Sequence, residues 1–264
     1  MGDAMVRPGR ALSAAFVGLV VAYLYAPIAV IVIFSFTTSP RLSMPIEGLT
    51  LDWYASAFEN PLIATALQNS LLLAAVSAML SGAMGAAFAF WLVTLKRARL
   101  RATLLTASLM PAIVPLLVIG IALAVAFRTI GMQQGLLNAA IGHVLVSLPF
   151  VVLTMNARLE TFDFSVLEAA RDLGANPARA FRDITFPLIR PSVIGAAMLA
   201  AALSLDEFVV TWFNVGNQQT VPVLVWGLMR RGIDPSINAI ATILLGSLVC
   251  LVVASNIINR RKVK

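Results

Sequence analysis

Long apolar runs alternate with short polar stretches along the whole chain, and the runs have the length of membrane-crossing helices. A helix needs about 20 apolar residues to cross a hydrocarbon core roughly 30 Å thick. Runs near that length cover residues 11–36, 67–95, 103–127, 136–154, 192–213 and 237–258. The pattern predicts an all-α integral membrane protein in which residues 1–264 form a single domain with six transmembrane helices.

The first apolar run follows Arg7 and Arg10, as the core of a secretory signal peptide also would. A signal core is only about 7–15 residues long and precedes a small-residue cleavage site, and neither feature fits this run. We therefore expect the run to stay in the protein as the first span. Pro111 and Pro115 lie inside the third run, where neighbouring helices are expected to satisfy the freed carbonyl groups.

Composition agrees with a lipid environment, since 60% of the residues are hydrophobic and only 12% are charged. Soluble chains carry roughly 25% charged residues. The net charge of +7 suggests nucleic acid at first, but the charges cluster at the ends of apolar runs, so no nucleic-acid partner is expected. One cysteine, Cys250, and one histidine, His143, offer no disulfide framework and no metal site. His143 is expected to be a helix-packing or an interfacial residue.

The distribution of lysine and arginine predicts the orientation of the chain in the membrane. Fifteen of the 19 basic residues flank the spans on the side of the N-terminus, and the other four are Arg41, Arg128, Arg230 and Arg231. Because cytoplasmic segments carry the excess of basic residues, both termini are expected in the cytoplasm.

A short segment between the first two spans, residues 50–58, lies on the predicted outer side. Thr50 is expected to cap a helix that has Asp52 in its first turn. Trp53, Tyr54 and Phe58 then serve either as an aromatic anchor at the membrane interface or as a contact for a partner protein. The sequence leaves both possibilities open.

The long polar segment with the clearest pattern is the predicted cytoplasmic loop, residues 156–191. Ser165 and Glu168 have the spacing of a capping box, which predicts a helix start, and Gly174 suits its left-handed end. Asn176 and Pro177 predict the start of a second helix. That helix carries an apolar stripe and is expected to end at two prolines. These residues are Ala178, Phe181, Ile184, Pro187 and Pro191.

Two short amphipathic helices in such a loop have two possible uses. Small residues at the corner, Ala169, Ala170 and Gly174, allow close approach, which favours docking in a groove of another protein. Alternatively, the loop packs on its own helix bundle. The residues alone leave both interpretations open.

The spacing within this loop resembles the EAA motif of ABC-importer permeases, which reads EAA, three residues, Gly, nine residues, Ile, one residue, Leu-Pro. The chain carries the pattern without a gap, although Phe186 stands where the family usually has leucine. The matching residues are Glu168, Ala169, Ala170, Gly174, Ala175, Phe181, Ile184 and Pro187. The resemblance implies a type I ABC importer permease, in which this segment is the coupling loop gripped by a cytoplasmic ATPase.

The same resemblance implies which partners and cofactors the chain uses. No phosphate-binding loop of the GxxxxGK[ST] kind occurs in the sequence, so the chain is expected to be non-catalytic and to bind no cofactor itself. ATP and Mg²⁺ are expected on a dimeric nucleotide-binding ATPase. The resemblance also implies two further partners, which are a second homologous permease subunit and an extracytoplasmic substrate-binding protein. It implies a location in a bacterial inner membrane.

Asp206 and Glu207 are adjacent acids inside the predicted fifth span, about 21 Å from its inner end at 1.5 Å per residue. Acids at that depth are costly and usually face a bundle interior or an aqueous cavity. Trp212 and Phe213 follow, with Phe213 on the Asp206 face of a continuous helix. Carboxylates beside aromatic rings suit a cationic amine as substrate. Alternatively, the acids pair with basic residues of a partner subunit or lie at the outer headgroup boundary.

The stretch SLDEFVVTWF, residues 204–213, together with 221–223 and 234–239, resembles the spermidine/putrescine branch of the importer permeases, of the PotC type. The resemblance implies that the chain forms half of a path for a polyamine. Opine, aminobutyrate and phosphonate importers have similar permeases, so other small amines and amino-acid-like solutes are the alternatives.

Two other classes of function fit the residues less well. An ion-coupled secondary transporter predicts an internal repeat and broken helices, and the two halves of the chain show no repeat. A membrane-embedded enzyme needs a catalytic constellation within its spans, where only Asp206 and Glu207 are available. The sequence therefore favours an ATP-driven importer.

Overall fold

The computed structural model describes residues 8–39, 45–230 and 236–260, and its regular elements within these ranges are helices. An isolated β-bridge joins Thr37 and Leu49. The prediction of an all-α protein is confirmed. The helices are α1 (Pro8–Phe34), α2 (Asp52–Glu59), α3 (Pro61–Thr94), α4 (Ala98–Ile113), α5 (Leu116–Thr129), α6 (Leu136–Glu160), α7 (Ser165–Asp172), α8 (Pro177–Ala180), a π turn (Phe181–Thr185), α9 (Phe186–Asp206), α10 (Val209–Asn214), α11 (Val221–Met229) and α12 (Ser236–Arg260).

The chain forms two compact units. The first comprises Met1–Asn60 and Gly227–Ser247, and the second comprises Pro61–Trp226 and Leu248–Lys264. The assignment of residues 1–264 to one permease domain stays a prediction.

In the first unit, helix α2 is tied to the end of α1 by its aromatic residues. The indole N–H of Trp53 donates to the carbonyl of Thr37 at 2.7 Å, and the hydroxyl groups of Tyr54 and Ser35 lie 2.6 Å apart. Residues 12–34 of α1 have no buried side chain, as expected for a helix that faces lipid.

The predicted cap of α2 at Thr50 is wrong by one residue. Helix α2 begins at Asp52, so that Leu51 is the capping residue, and its side chain makes no capping hydrogen bond. The Thr50 hydroxyl still accepts the N–H of Asp52 at 3.0 Å, and it thereby satisfies one of the amide groups that a helix start leaves free.

The second unit is built on the long helices α3, α6 and α9, which approach closely because small residues line their contacts. A Cβ atom at Gly85 of α3 would lie 2.6 Å from Val151 Cγ1 of α6. A Cβ atom at Gly82 of α3 would lie 2.9 Å from the Cβ of Ala197 in α9. This close packing provides a rigid frame for the interrupted helices beside it.

Four helices in the described part of the chain are long and apolar enough to cross a membrane, namely Leu12–Phe34, Pro61–Thr94, Leu136–Glu160 and Pro177–Asp206. The bent pair α4–α5 makes a fifth if it counts as one span. Helix α12 occupies the predicted sixth span, and its stretch Ser236–Ser247 is a shorter apolar helix. These helices support a multi-pass membrane protein, and the count of six spans stays a prediction.

The predicted third span, residues 103–127, is divided into two helices. Helices α4 and α5 meet there at an angle of 94°, across Val114 and Pro115. A proline ring disfavours the α conformation of the residue before it, and Val114 is accordingly extended, with ψ of 132°. A sharp elbow therefore replaces the straight third span.

The predicted boundaries of the fifth span, residues 192–213, are also wrong. Helical structure continues from the loop through the π turn into α9, so that Pro177–Asp206 is one apolar helix of 30 residues. Pro187 does not end the loop helix, because helical structure continues from the π turn through Pro187 into α9. Pro191 lies inside α9 without ending it.

Several residues used in the sequence predictions lie outside the described ranges. Among the charges that indicate orientation these are Arg7, Arg41, Arg231 and residues 261–264. Asp234 and Pro235, which belong to the stretch that resembles polyamine permeases, also lie outside.

Candidate functional site

The fifth span is interrupted within its apolar stretch, and the two predicted acids lie at the interruption. Helix α9 ends at Asp206, Glu207 has an extended backbone with φ −73° and ψ 99°, and α10 begins at Val209. The Glu207 carboxylate accepts the N–H of Val210 at 2.9 Å, and the residue is only 7% exposed. Glu207 thus satisfies an amide group that the start of α10 leaves free.

Asp206 has a different environment from its neighbour. Its side chain is exposed, and it makes no ion pair or side-chain hydrogen bond with any residue in the ranges 8–39, 45–230 and 236–260. An unpaired carboxylate is costly inside a membrane span, and such residues mark paths for substrates or ions. The free acid of the pair is therefore Asp206.

Both acids line a cavity of about 290 Å³ at the place where two interrupted spans meet. One wall is the elbow between α4 and α5, and another is the middle of α6. Residues from these two walls include Pro111, Val114, Leu116, Val146 and Phe150. Because the other lining residues are apolar or aromatic, Asp206 and Glu207 give the cavity its negative charge.

The predicted aromatic residues of the substrate path lie elsewhere. Trp212 packs on Phe208, with ring centroids 5.7 Å apart, and Phe208 in turn packs on Trp226 at 5.5 Å. Phe213 lines a separate cavity of about 670 Å³, together with Arg128. The prediction that Phe213 shares a face with Asp206 is wrong, because no continuous helix joins the two residues.

Two parts of the 290 Å³ cavity at Asp206 and Glu207 were not predicted from the sequence. Phe208 lines it, directly after the acids, and the α4–α5 elbow forms its opposite wall. Pro115 was the available signal for the elbow, since a proline disfavours helix at the residue before it. The interruption after Asp206 has no comparable signal, because no proline or glycine lies within it.

His143 is buried in α6, as expected for a packing residue, and it contacts both sides of the interruption. Its Nδ1 lies 2.6 Å from the Ser204 hydroxyl in α9, and its Nε2 lies 2.7 Å from the Thr211 hydroxyl in α10. The Thr211 hydroxyl donates to the carbonyl of Glu207 at 2.6 Å. Within the described residues, no group of three His, Cys, Asp or Glu could hold a metal ion.

The predicted two-helix loop is present between the fourth and fifth spans. Helix α7 begins at Ser165, and Gly174 after its end adopts the left-handed conformation, with φ of +84°. The side chain of Asn176 accepts the N–H of Arg179 at 2.8 Å and caps the second helix, in which Pro177 is the first residue. These predictions of local structure are confirmed.

The predicted capping box is wrong, because Ser165 is the first residue of α7 and not its cap. Asp163 satisfies the helix start instead, since its carboxylate accepts the N–H of Ser165 at 2.9 Å. Hydrogen bonds from the hydroxyl and the backbone amide of Ser165 hold the pKa of Asp163 below its ordinary value. A lowered pKa means that this contribution is present at neutral pH and is lost only as the pH falls through that value.

The residues of the EAA motif divide between the surface and the interior. Glu168, Ala169 and Gly174 are exposed on the loop. Ala170 is 7% exposed and packs in a buried cluster that includes Leu159 at the end of α6. The motif thus combines a surface that a partner can contact with a face that holds the loop against the bundle.

The later residues of the motif lie where the loop joins the membrane helices. The Phe181 ring packs edge-on against Phe90 of α3, with centroids 5.2 Å apart. Ile184 packs against the cluster that contains Ala170, and Pro187 is exposed in the first turn of α9. These residues connect the loop to the membrane helices.

Leu173 is a surface residue of the loop whose role the sequence did not indicate. It is 90% exposed, and Val166, seven residues earlier, is 40% exposed. Residues at this spacing lie on one side of a helix, with Ala169 between them. Together the three form an exposed apolar stripe beside Glu168, which we call the docking stripe.

The chain is similar to known transport proteins. Residues 81–264 match the family described as binding-protein-dependent transport system inner membrane component. The spermidine/putrescine transport system permease protein PotC of Escherichia coli K12 is 36% identical over 259 residues, which cover 97% of each chain. The putrescine transport system permease protein PotI of the same organism is 35% identical over 235 residues, covering 85% of this chain and 82% of PotI.

A solved structure shares the fold. The crystal structure of a bacterial ABC transporter involved in the import of the acidic polysaccharide alginate matches with a TM-score of 0.72 at 14% identity, over 96% of both chains. The chain therefore belongs to the binding-protein-dependent transport system inner membrane components, and its fold is that of a type I ABC importer permease.

Proposed function

We propose that this chain is one of the two permease subunits of an ATP-driven importer and forms half of the path for a small cationic amine, a polyamine such as putrescine or spermidine. One observation carries the proposal. The carboxylate of Asp206 has no partner in the described part of the chain, and it lies at a cavity where two interrupted spans meet. The relatives named for spermidine and putrescine transport support the same substrate class.

A cationic amine fits this cavity for physical reasons. A carboxylate surrounded by apolar walls attracts an ammonium group more strongly than it would in water, because the local dielectric is low. The ring of Phe208 lines the cavity beside the acids, so an aromatic ring is available there for a cation–π contact. Glu207 adds negative charge, although one of its oxygens is already engaged by Val210.

The importer needs partners that the chain itself does not provide. In this proposal a dimeric ATPase binds ATP and Mg²⁺, and this subunit carries out no catalysis. A second, homologous permease supplies the other half of the path, and an extracytoplasmic binding protein delivers the cargo. Both termini face the cytoplasm, which agrees with the excess of basic residues on that side.

The helical connection between the loop and Asp206 suggests how ATP drives the path. Residues Pro177–Asp206 form one helical stretch of 30 residues, about 45 Å long at 1.5 Å per residue. A displacement of the docked loop is therefore carried along α9 to the residue that ends it, which is Asp206. In this way closure of the ATPase pair changes the surroundings of the amine site.

Uptake by the complete importer tests this function. Proteoliposomes that contain both permeases and the ATPase, supplied with the binding protein, are assayed for uptake of labelled putrescine. We expect uptake that requires ATP and that spermidine inhibits, whereas 4-aminobutyrate and a phosphonate do not inhibit it.

Other outcomes would point to the alternatives. Inhibition by 4-aminobutyrate or a phosphonate, with none by spermidine, would assign the chain to another branch of the importers. Interrupted spans also occur in ion-coupled transporters. Uptake by this chain alone, driven by an ion gradient without ATP, would therefore contradict the importer assignment.

A further inference from the structure

His143 holds together the two sides of the interruption at which the acids lie. Ser204 belongs to the last turn of α9 and Thr211 to α10, and the imidazole lies between their hydroxyl groups at 2.6 and 2.7 Å. His143 is 2% exposed, Ser204 4% and Thr211 fully buried. The fourth span therefore contacts the fifth span on each side of Asp206 and Glu207.

The hydrogen bonds determine where the proton of the imidazole lies. Thr211 has one hydroxyl proton, and it is donated to the carbonyl of Glu207, which can only accept. The Thr211 oxygen must then accept from His143, so Nε2 carries the proton. In a neutral imidazole Nδ1 is consequently an acceptor, and the Ser204 hydroxyl donates to it.

This series of hydrogen bonds connects His143 to Glu207, which lines the cavity. From His143 it passes through Thr211 to the backbone carbonyl of Glu207, whose carboxylate accepts the N–H of Val210. Both polar ends of Glu207 are thus fixed relative to α10. The plane of the peptide between Glu207 and Phe208 follows, because a carbonyl and the amide after it share one plane. The peptide between Asp206 and Glu207 is held separately, since the N–H of Glu207 donates to the carbonyl of Ser204, the other partner of His143, at 3.4 Å.

We propose that His143, with its proton on Nε2, is a positioning residue that sets the direction in which Asp206 and Glu207 enter the cavity. This inference rests on the proposed amine path for its consequence in transport, but the hydrogen-bonded link itself does not depend on the cargo. If an apolar residue of similar size replaced His143, it would fill the space beside α9 and α10 but would form no hydrogen bond to either helix.

Three substitutions of His143 test its two hydrogen bonds one at a time and together. The amide of His143→Gln reaches the position of Nε2 and can donate to Thr211, whereas the shorter amide of His143→Asn lies near the position of Nδ1. His143→Leu removes both bonds. The complete importer with each variant is assayed for the KM and the maximal rate of putrescine uptake.

The expected result is a rise in KM without a matching fall in the maximal rate. We expect KM to rise about tenfold for the Asn and Leu variants, equivalent to about 1.4 kcal/mol, and to stay within about twofold of the native value for the Gln variant. Equal KM values in all variants, or equal impairment of the Gln and Asn variants, would overturn the proposal.

Amide hydrogen exchange provides a test that does not depend on the cargo. In the purified complex, residues 204–214 should exchange faster in the Asn and Leu variants than in the native and Gln proteins. Residues 81–89 of α3 serve as the reference. Faster exchange in both segments would indicate general loosening and would overturn the positioning role.

The two assays keep the two proposals apart. If the native importer takes up no putrescine, the proposed function fails, and the exchange of residues 204–214 still decides whether His143 holds the interruption. If the native importer does take up putrescine but exchange and KM are unchanged in the Leu variant, only the positioning role fails.

Discussion

Among single residues, Asp206 and Glu207 show how the backbone assigns different roles to neighbouring acids. In the sequence they are equivalent carboxylates in one helix. In the structure Glu207 is buried and accepts the N–H of Val210, whereas Asp206 is exposed and has no partner in the described ranges. The difference arises because α9 ends between them, so that one acid belongs to a helix and the other to a cap.

The hydrogen bond that Glu207 accepts from Val210 needs an oxygen at the end of the side chain but not its negative charge, and two substitutions test this. Glu207→Gln keeps an oxygen that can accept the N–H of Val210, whereas Glu207→Leu leaves that buried amide unsatisfied. We expect the Leu variant to lose about 1 kcal/mol of stability, as for other lost helix caps, and the Gln variant to lose much less. Thermal unfolding of the purified complex measures the difference, and equal losses in the two variants would contradict the capping role.

Among the helices, length and hydrophobicity predict whether a span exists better than whether it is continuous. The spans that became α1, α3 and α6 were predicted from apolar runs alone. The two helix starts in the loop were predicted instead from polar residues and a proline at characteristic positions. The elbow at Pro115 was underestimated, because a proline can be tolerated in a membrane helix when its neighbours compensate.

Other features of the helices could not be predicted from local sequence. The π turn Phe181–Thr185 joins the loop to α9 through packing of Phe181 on Phe90, which is 91 positions away in the chain. The interruption after Asp206 is bridged by hydrogen bonds from His143, which lies in another span. Such contacts between distant residues leave no periodic signal in either segment.

The left-handed turn at Gly174 makes a prediction about the stability of the loop. A side chain at φ of +84° costs about 1–2 kcal/mol, so Gly174→Ala should open the loop about fivefold or more often. Trypsin cleavage at Arg171 and Arg179 in membrane vesicles with the loop accessible measures this opening.

A second glycine in this region provides a matched control. Gly195 lies in α9 with open space around the position of a Cβ atom and without a positive φ. Gly195→Ala should leave the rate of trypsin cleavage at the native value. Equal cleavage of the two variants would show that the conformation of Gly174 does not hold the loop.

For the chain as a whole, we propose that the docking stripe of Val166, Ala169 and Leu173 is the surface that the partner ATPase contacts. We expect Leu173→Glu and Glu168→Arg to reduce copurification of the ATPase at least about tenfold, since the first places a charge in the apolar stripe and the second reverses the charge beside it. Leu51→Glu is the control, because Leu51 is also exposed but lies between the first two spans. Full copurification with the Leu173 variant would contradict the assignment of the docking stripe.

In the proposed function, the free carboxylate of Asp206 pairs with a cationic amine in the translocation path. The most direct test of this pairing is the initial rate of ATP-dependent putrescine uptake into proteoliposomes with the complete importer, at a concentration below KM. Asp206→Asn should lower this rate at least about tenfold, the effect of losing about 1.4 kcal/mol, while ATPase copurification is unchanged. Asp52→Asn, the same change at an exposed acid of α2, should leave it unaltered. Uptake by the Asp206 variant at the native rate would contradict the pairing of this carboxylate with the amine.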